Sequence, residues 1–163
     1  MSPSGTADTG ALRLRGARPG DEPGIKRVVG DVLSEFGFAE DANGLDADLN
    51  DVYTSYEASG GRFLVLVDTT DTILGCGGLF PLDSQTAEVR KMYFLPPARG
   101  YGWGRRLLLE LIEQARRRRY RRVVLETAAQ LSAASALYRS VGFVRVERNH
   151  LSSRCDLAMV LDL

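Results

Sequence analysis

The chain has 163 residues, 44% of them hydrophobic, with 21 basic and 21 acidic side chains. That length and apolar content fit one domain with a real core, and the charge balance gives no global attraction to nucleic acid or membrane. Two cysteines, Cys76 and Cys155, and one histidine, His150, exclude a disulfide framework and a metal centre built on Cys/His spacing; the expectation is a reduced, metal-free, cytoplasmic protein.

Met1 to Gly10 is small and polar, lacks the apolar stretch of a signal peptide, and reads as a disordered tail ahead of one domain over 11–163. Leu12 to Arg15 alternates like a strand with one buried face. Arg18-Pro19-Gly20-Asp21 is a turn whose Asp21 can cap the next helix. Ile25, Val28, Val29, Val32, Leu33 and Phe36 recur at helical spacing, and Gly37 ends that helix. After a loop at Asp41 to Gly44, a weaker helix covers Leu45 to Ala58. Gly60-Gly61 breaks the chain. Phe63–Val67, Ile73–Phe80 and Glu88–Leu95 then read as an antiparallel meander. No stretch approaches the length of a membrane span.

Between that third strand and the next helix lies Arg99-Gly100-Tyr101-Gly102-Trp103-Gly104. Glycines allow sharp turning and leave backbone N–H groups unobstructed. A helix N-terminus adds its dipole and its unpaired N–H groups. A diphosphate suits such a cradle. The segment is neither the Gly-x-Gly-x-x-Gly dinucleotide fingerprint nor a P-loop, since no Lys-Ser/Thr follows. Charge is also unevenly spread. Residues 1–60 carry 5 basic and 11 acidic side chains, whereas 99–122 carry nine arginines and two glutamates, a positive patch expected beside the cradle.

The helix after the loop has an apolar stripe at Leu107, Leu108, Leu111, Ile112 and Ala115. Arg116 to Arg119 close it where cations suit its negative end. Val123-Val124-Leu125 is a buried strand, expected parallel to Glu88–Leu95 through a right-handed crossover. A short helix over Ser132–Ser140 and an antiparallel pair, Phe143–Glu147 with Cys155–Leu161, complete the chain.

These elements resemble the GNAT superfamily of acyl-CoA-dependent N-acetyltransferases. The resemblance rests on Glu88 to Phe94, Pro96, the Arg99–Gly104 loop, Leu125-Glu126-Thr127, and Leu137-Tyr138-Arg139-Ser140-Val141-Gly142-Phe143. Arg99, Gly102 and Gly104 fill the family's Arg/Gln-x-x-Gly-x-Gly/Ala pattern, and Leu137 to Phe143 fills its Leu-Tyr-x-x-x-Gly-Phe element. The match covers residues 85–147. It implies a single α/β domain of the α+β type. Its mixed, mostly antiparallel sheet of about seven strands is flanked by four helices and splayed between the fourth and fifth strands.

The implied activity is transfer of an acetyl group from acetyl-CoA to a primary amine of a small molecule or amino acid, by direct attack in a ternary complex, in a monomer or homodimer. No metal, nucleic acid or membrane is implied. Arg99, Gly100, Tyr101, Gly102, Trp103, Gly104 and Arg105 would bind the CoA pyrophosphate through main-chain N–H groups. The backbone of Met92, Tyr93 and Phe94 would pair with the pantetheine arm, much as a strand adds to an open edge. Tyr138 would protonate the leaving thiolate, or else it is a helix tyrosine packing on the sheet. Glu88 would take the proton of the attacking amine. Its even spacing puts it on the sheet face of Met92 and Phe94. Glu126 and His150 are competing bases.

Leu131 stands where relatives often carry asparagine, with Gln130 beside it as a substitute. Trp103 either covers part of the coenzyme or packs under the loop. Some of Arg116–Arg122 would lie near the CoA 3′-phosphate. Arg154 and Asp156 are candidates for recognising an acceptor's carboxylate and amine, although the acidic first 60 residues favour a cationic amine. The alternatives are a non-catalytic acyl-CoA-sensing module and a nucleic-acid-binding or partner-binding domain using the arginine-rich helix.

Overall fold

The computed structural model describes residues 11–163; the tail expected over 1–10 lies outside them. One sheet contains β1 (Arg13–Gly16), β2 (Arg62–Val67), β3 (Ile73–Pro81), β4 (Thr86–Phe94), β5 (Arg122–Thr127), β6 (Val144–Val146) and β7 (Leu157–Asp162). Their order is β1-β2-β3-β4-β5-β7-β6. Every neighbouring pair is antiparallel except β4 with β5. The helices are α1 (Glu22–Glu35), α2 (Trp103–Arg117) and α3 (Ser132–Val141). The meander, the parallel crossover through α2 and the closing antiparallel pair all match expectation. The position of β7, between β5 and β6, is new.

The period-2 alternation of β2 divides the core. Phe63, Val65 and Val67 pack with Ile25, Val28, Val29 and Leu33 of α1. Leu64 points the other way, to Leu107, Leu108, Leu111 and Ile112 of α2. Both helices therefore bury one stripe each, on opposite faces of one sheet. Leu108 is fully buried in this cluster. Leu108→Ala should lower stability by about 2–5 kcal/mol, the range for a leucine-sized cavity, measured by denaturant unfolding.

The helix expected over Leu45–Ala58 is broken into a 3-10 turn, Ala47–Asn50, and a π-helical turn, Tyr53–Glu57. Short polar side chains compete with the helical ladder here. Asp51 accepts from the Thr54 N–H and hydroxyl, and Asp48 is drawn inward by the Tyr56 hydroxyl and Lys91. No helix among the described residues is long and apolar enough to cross a membrane.

Candidate active site

The site begins where the sheet opens. β4 and β5 pair only from Thr86–Glu88 to Arg122–Val124. Beyond Glu88, β4 stays with β3 while β5 stays with β7, leaving a wedge between them. On its other edge β4 carries one extra residue, since Gly78 faces Arg90 but Cys76 faces Tyr93. Lys91 absorbs this bulge with φ 58°, a left-handed conformation uncommon for a residue with a side chain. The bulge overturns the expected alternation. Arg90 lies over the Phe80 ring, and Phe80 and Tyr93 pack on the α1 face. Met92 and Phe94 pack on the α2 face. Glu88, bonded to Arg90, therefore shares its face with Tyr93 rather than with Met92 and Phe94.

One cavity, of about 420 Å³, opens at the glycine loop and runs along β4 to Tyr138. Gly100 and Gly102 have φ 86° and 81°, and a Cβ on either would meet nothing within 4 Å. Their left-handed backbone is what only glycine adopts without strain, and the space before them is open. Gly102 caps α2, whose first N–H groups lack intrahelical partners. Gly104 is less demanding than expected: a Cβ there would sit at ordinary contact distance, 3.4 Å, from Leu137.

The Arg99 side chain is already engaged. Its Nε donates to the Phe94 carbonyl at 2.8 Å, and its two Nη atoms donate to Glu35 at 2.8 and 2.6 Å. That hydrogen bonding holds the Glu35 carboxyl below its ordinary value. It also leaves Arg99 shaping the loop by its backbone and its tether to α1. The Phe94 carbonyl is correspondingly occupied, while Tyr93 stays paired with Cys76 of β3.

Trp103 packs under the loop with Leu12, Leu66 and Ala98, and Arg106 covers its ring. Tyr101 is exposed. Arg105 donates to the Ser140 hydroxyl at 3.2 Å. Gln130 reaches the Phe36 carbonyl at 3.3 Å across the cavity's rim, beside Leu131. Arg116 to Arg119 do not lie beside the cradle. They sit at the other end of α2, about 22 Å away at 1.5 Å per residue, where Arg116 and Arg117 pair with Glu113.

A second cavity, of about 360 Å³, meets the first through shared walls at Val32, Phe36, Met92, Tyr93, Leu131 and Tyr138. Tyr138, 6% exposed, stacks edge-on against Phe143. Burial pushes its phenol well above the ordinary value, so it stays protonated at neutral pH. Glu88 and Glu126 both line this second cavity. Glu126 is tied at both oxygens, by Arg148 at 3.1 Å and the Ser152 N–H at 3.3 Å. Glu88 Oε1 accepts from Arg90, while its Oε2 lies 3.8 Å from Arg148. His150 is exposed and lines neither cavity. Cys155 lines the second cavity, but burial pushes its thiol up, away from the reactive thiolate.

Beneath the second cavity lies a buried ion cluster. Asp46 accepts from Lys91 at 2.8 Å and from both Nη atoms of Arg154 at 3.0 and 2.5 Å. Lys91 also reaches the Leu45 carbonyl and Asp48. Arg154 is thus a wall residue already bound to a carboxylate. Asp156 accepts from the Ala129 N–H and does not line the cavity. Burial acts to raise the Asp46 carboxyl, but the hydrogen bonds from Arg154, Lys91 and the Asp41 N–H outweigh it and hold the group well below the carboxylate range.

Asp46→Asn should cost about 3–5 kcal/mol at neutral pH by leaving the Arg154 guanidinium without its carboxylate and Lys91 with Asp48 alone. Because the folded carboxyl is depressed, wild-type stabilisation is complete above about pH 4, the unfolded value. It is lost as pH falls toward the folded value. The gap between variant and wild type should therefore hold from pH 7 to 5 and close below about pH 4, as read by urea unfolding.

Lys91, Asp46, Arg90, Arg148 and Phe36 were not singled out by the sequence as site residues. The adjacent cations Arg90 and Lys91, interrupting a strand's alternation, were the one available signal.

The family model described as "Acetyltransferase (GNAT) family" matches residues 31–143. The N-acetyltransferase YjgM of Escherichia coli (strain K12) is 39% identical over 153 residues, covering 88% of this chain and 90% of that protein. A GNAT-family acetyltransferase structure from Staphylococcus aureus superposes with a TM-score of 0.87 at 19% identity, covering 93% of this chain and 99% of that one. The yncA protein of Salmonella typhimurium, solved with its cofactor acetyl-CoA, superposes with a TM-score of 0.73 at 22% identity, covering 93% and 94%. With a splayed seven-stranded sheet, a glycine-rich cap on α2 and these relatives, the chain belongs to the GNAT family of acetyltransferases and is an acyltransferase.

Proposed function

We propose that the protein transfers acetyl from acetyl-CoA to a primary amine of a small molecule or amino acid, by direct attack while both substrates are bound. The observation that carries this is the meeting of two cavities at Tyr138, one reached past the glycine loop and one lined by Glu88. The residues fit the coenzyme: Gly100 and Gly102 leave a cradle that a Cβ would enter, and the α2 N-terminus faces an anion favourably. The main chain of Arg99 to Arg105 holds the diphosphate. The main chain of Met92, Tyr93 and Phe94 holds the pantetheine arm in the wedge left by β5.

The second cavity brings the amine to the same point, and this proximity supplies much of the rate. As the amine nitrogen bonds to the acetyl carbon and the carbon–sulfur bond breaks, Glu88 takes the amine's proton, directly or through water. Tyr138 gives its phenolic proton to the departing sulfur. Glu88 is the better placed of the two carboxylates, because Glu126 is held at both oxygens.

The test is thiol release from acetyl-CoA over a panel of amines, with mass-spectrometric detection of the acetylated amine. Release that depends on an added amine supports the reading. Acetyl-CoA binding without turnover of any amine leaves the acyl-CoA-sensing alternative.

A further inference from the structure

We infer that the acceptor carries a carboxylate close to its reacting amine, and that the Arg148 and Arg90 side chains receive it. This rests on the acetyl-transfer reading above. Glu88 lies between two guanidinium groups at the point where β4 and β5 part. Arg90 gives Nε to Glu88 and rests on Phe80, 3.7 Å from the ring centroid. Among the described residues its two Nη atoms have no acceptor. Arg148 gives Nη1 to Glu126, and its Nε and Nη2 likewise have no acceptor among the described residues. These side chains are 31% and 34% exposed. Arg90 lines the acceptor-side cavity; Arg148 stands behind it, reaching Glu126 and Glu88, which both line it, from the side away from Arg90. A planar fork with unused donors matches a carboxylate at two points.

The other cations at this cavity cannot play that part. Lys91 is surrounded by Asp46, Asp48 and the Leu45 carbonyl, and Arg154 is held by Asp46 and the Ala39 carbonyl. A polycationic acceptor would need unpaired carboxylates, and those near the cavity are taken. Part of the acidic excess of the first 60 residues is met by cations from later in the chain: Glu35 pairs with Arg99, Glu57 with Arg62, and Asp46 with Lys91 and Arg154. An α-amino acid fits instead, since its carboxylate on the Arg148 and Arg90 forks leaves its amine beside Glu88.

The experiment compares amino acids with their decarboxylated partners: leucine with isoamylamine, phenylalanine with phenethylamine, lysine with cadaverine. Each is assayed with acetyl-CoA by thiol release and product mass. The expected result is kcat/KM about ten- to a hundredfold higher for the acid in at least one pair, the span of charge-assisted hydrogen bonds. Arg148→Gln, and separately Arg90→Gln, should collapse that ratio, with folding checked by melting temperature. Arg148→Lys, which keeps the charge but not the fork, should restore it only in part.

Equal or better turnover of the amines, or of spermidine, overturns the inference while leaving acetyl transfer standing. So does a ratio untouched by both arginine variants. Calorimetry with acetyl-CoA alone separates the two claims: no binding by folded protein defeats the acetyl-transfer reading itself. Binding with no acetylation of any pair member defeats the amino-acid assignment.

Discussion

Tyr138→Phe is expected to lower kcat for acetyl transfer by about a hundredfold while leaving the dissociation constant for acetyl-CoA within about twofold. General acid catalysis by a positioned side chain typically contributes 10²–10⁴-fold, and this substitution removes only the hydroxyl. The ring keeps its edge-on contact with Phe143 and its place in the α2 core cluster, so folding should change little. Among the described residues the hydroxyl has no hydrogen-bond partner; burial, followed by the neighbouring Tyr93 and Cys155, drives its titration upward. Its proton is therefore available throughout the neutral range, and wild-type kcat should show no alkaline loss from this group below about pH 10, the ordinary phenol value. Single-turnover kinetics with calorimetric acetyl-CoA titration would measure both terms. An unchanged kcat would remove Tyr138 from the chemistry and leave it a packing residue.

Gly102→Val should weaken acetyl-CoA binding by about a hundredfold, well beyond its effect on folding. Valine at φ 81° is strained by roughly 1–3 kcal/mol. The larger effect is at the cradle, where a branched side chain occupies space needed by an anion and turns aside the N–H groups that would hold it. Losing even one charge-assisted hydrogen bond, worth about 1.5–3 kcal/mol, accounts for most of a hundredfold change. Gly104→Ala is the internal control. Its Cβ makes an ordinary contact with Leu137, and it should bind acetyl-CoA nearly as wild type does. Equal losses of melting temperature in both variants, with acetyl-CoA affinity intact, would mean that the loop is only a turn.

Local pattern made much of the architecture legible. The apolar stripe of α2, the continuous apolar run of β2 and the glycine punctuation before Trp103 each specify an element from neighbouring residues alone. What stayed hidden depends on distant partners. Arg154 and Asp46 are separated by 108 positions, and no periodicity links them. Lys91 bears no local mark of a left-handed conformation, yet its bulge moves Glu88 to the face opposite Met92. The Leu45–Ala58 segment has helical spacing, but Asp48 answers to Lys91 and Tyr56 rather than to its own ladder. Bulk charge is a blunt guide for the same reason: Glu35, Asp46 and Glu57 near the N-terminus meet cations from later in the chain that the linear sequence does not display, and Arg116 to Arg119 lie at the end of their helix away from the glycine loop.

Among the described residues, three pairs, Thr86 to Glu88 against Arg122 to Val124, are all that stitch β1–β4 to β5–β7 within the sheet. The remaining backbone along that seam faces a slot of molecular width. A long, flexible guest lying in the slot would act as a missing strand and fasten the two halves together. Holding the coenzyme and stiffening the fold are then one event, and thermal resistance should climb with coenzyme concentration, by about 2.7 kcal/mol when the free ligand exceeds its dissociation constant a hundredfold.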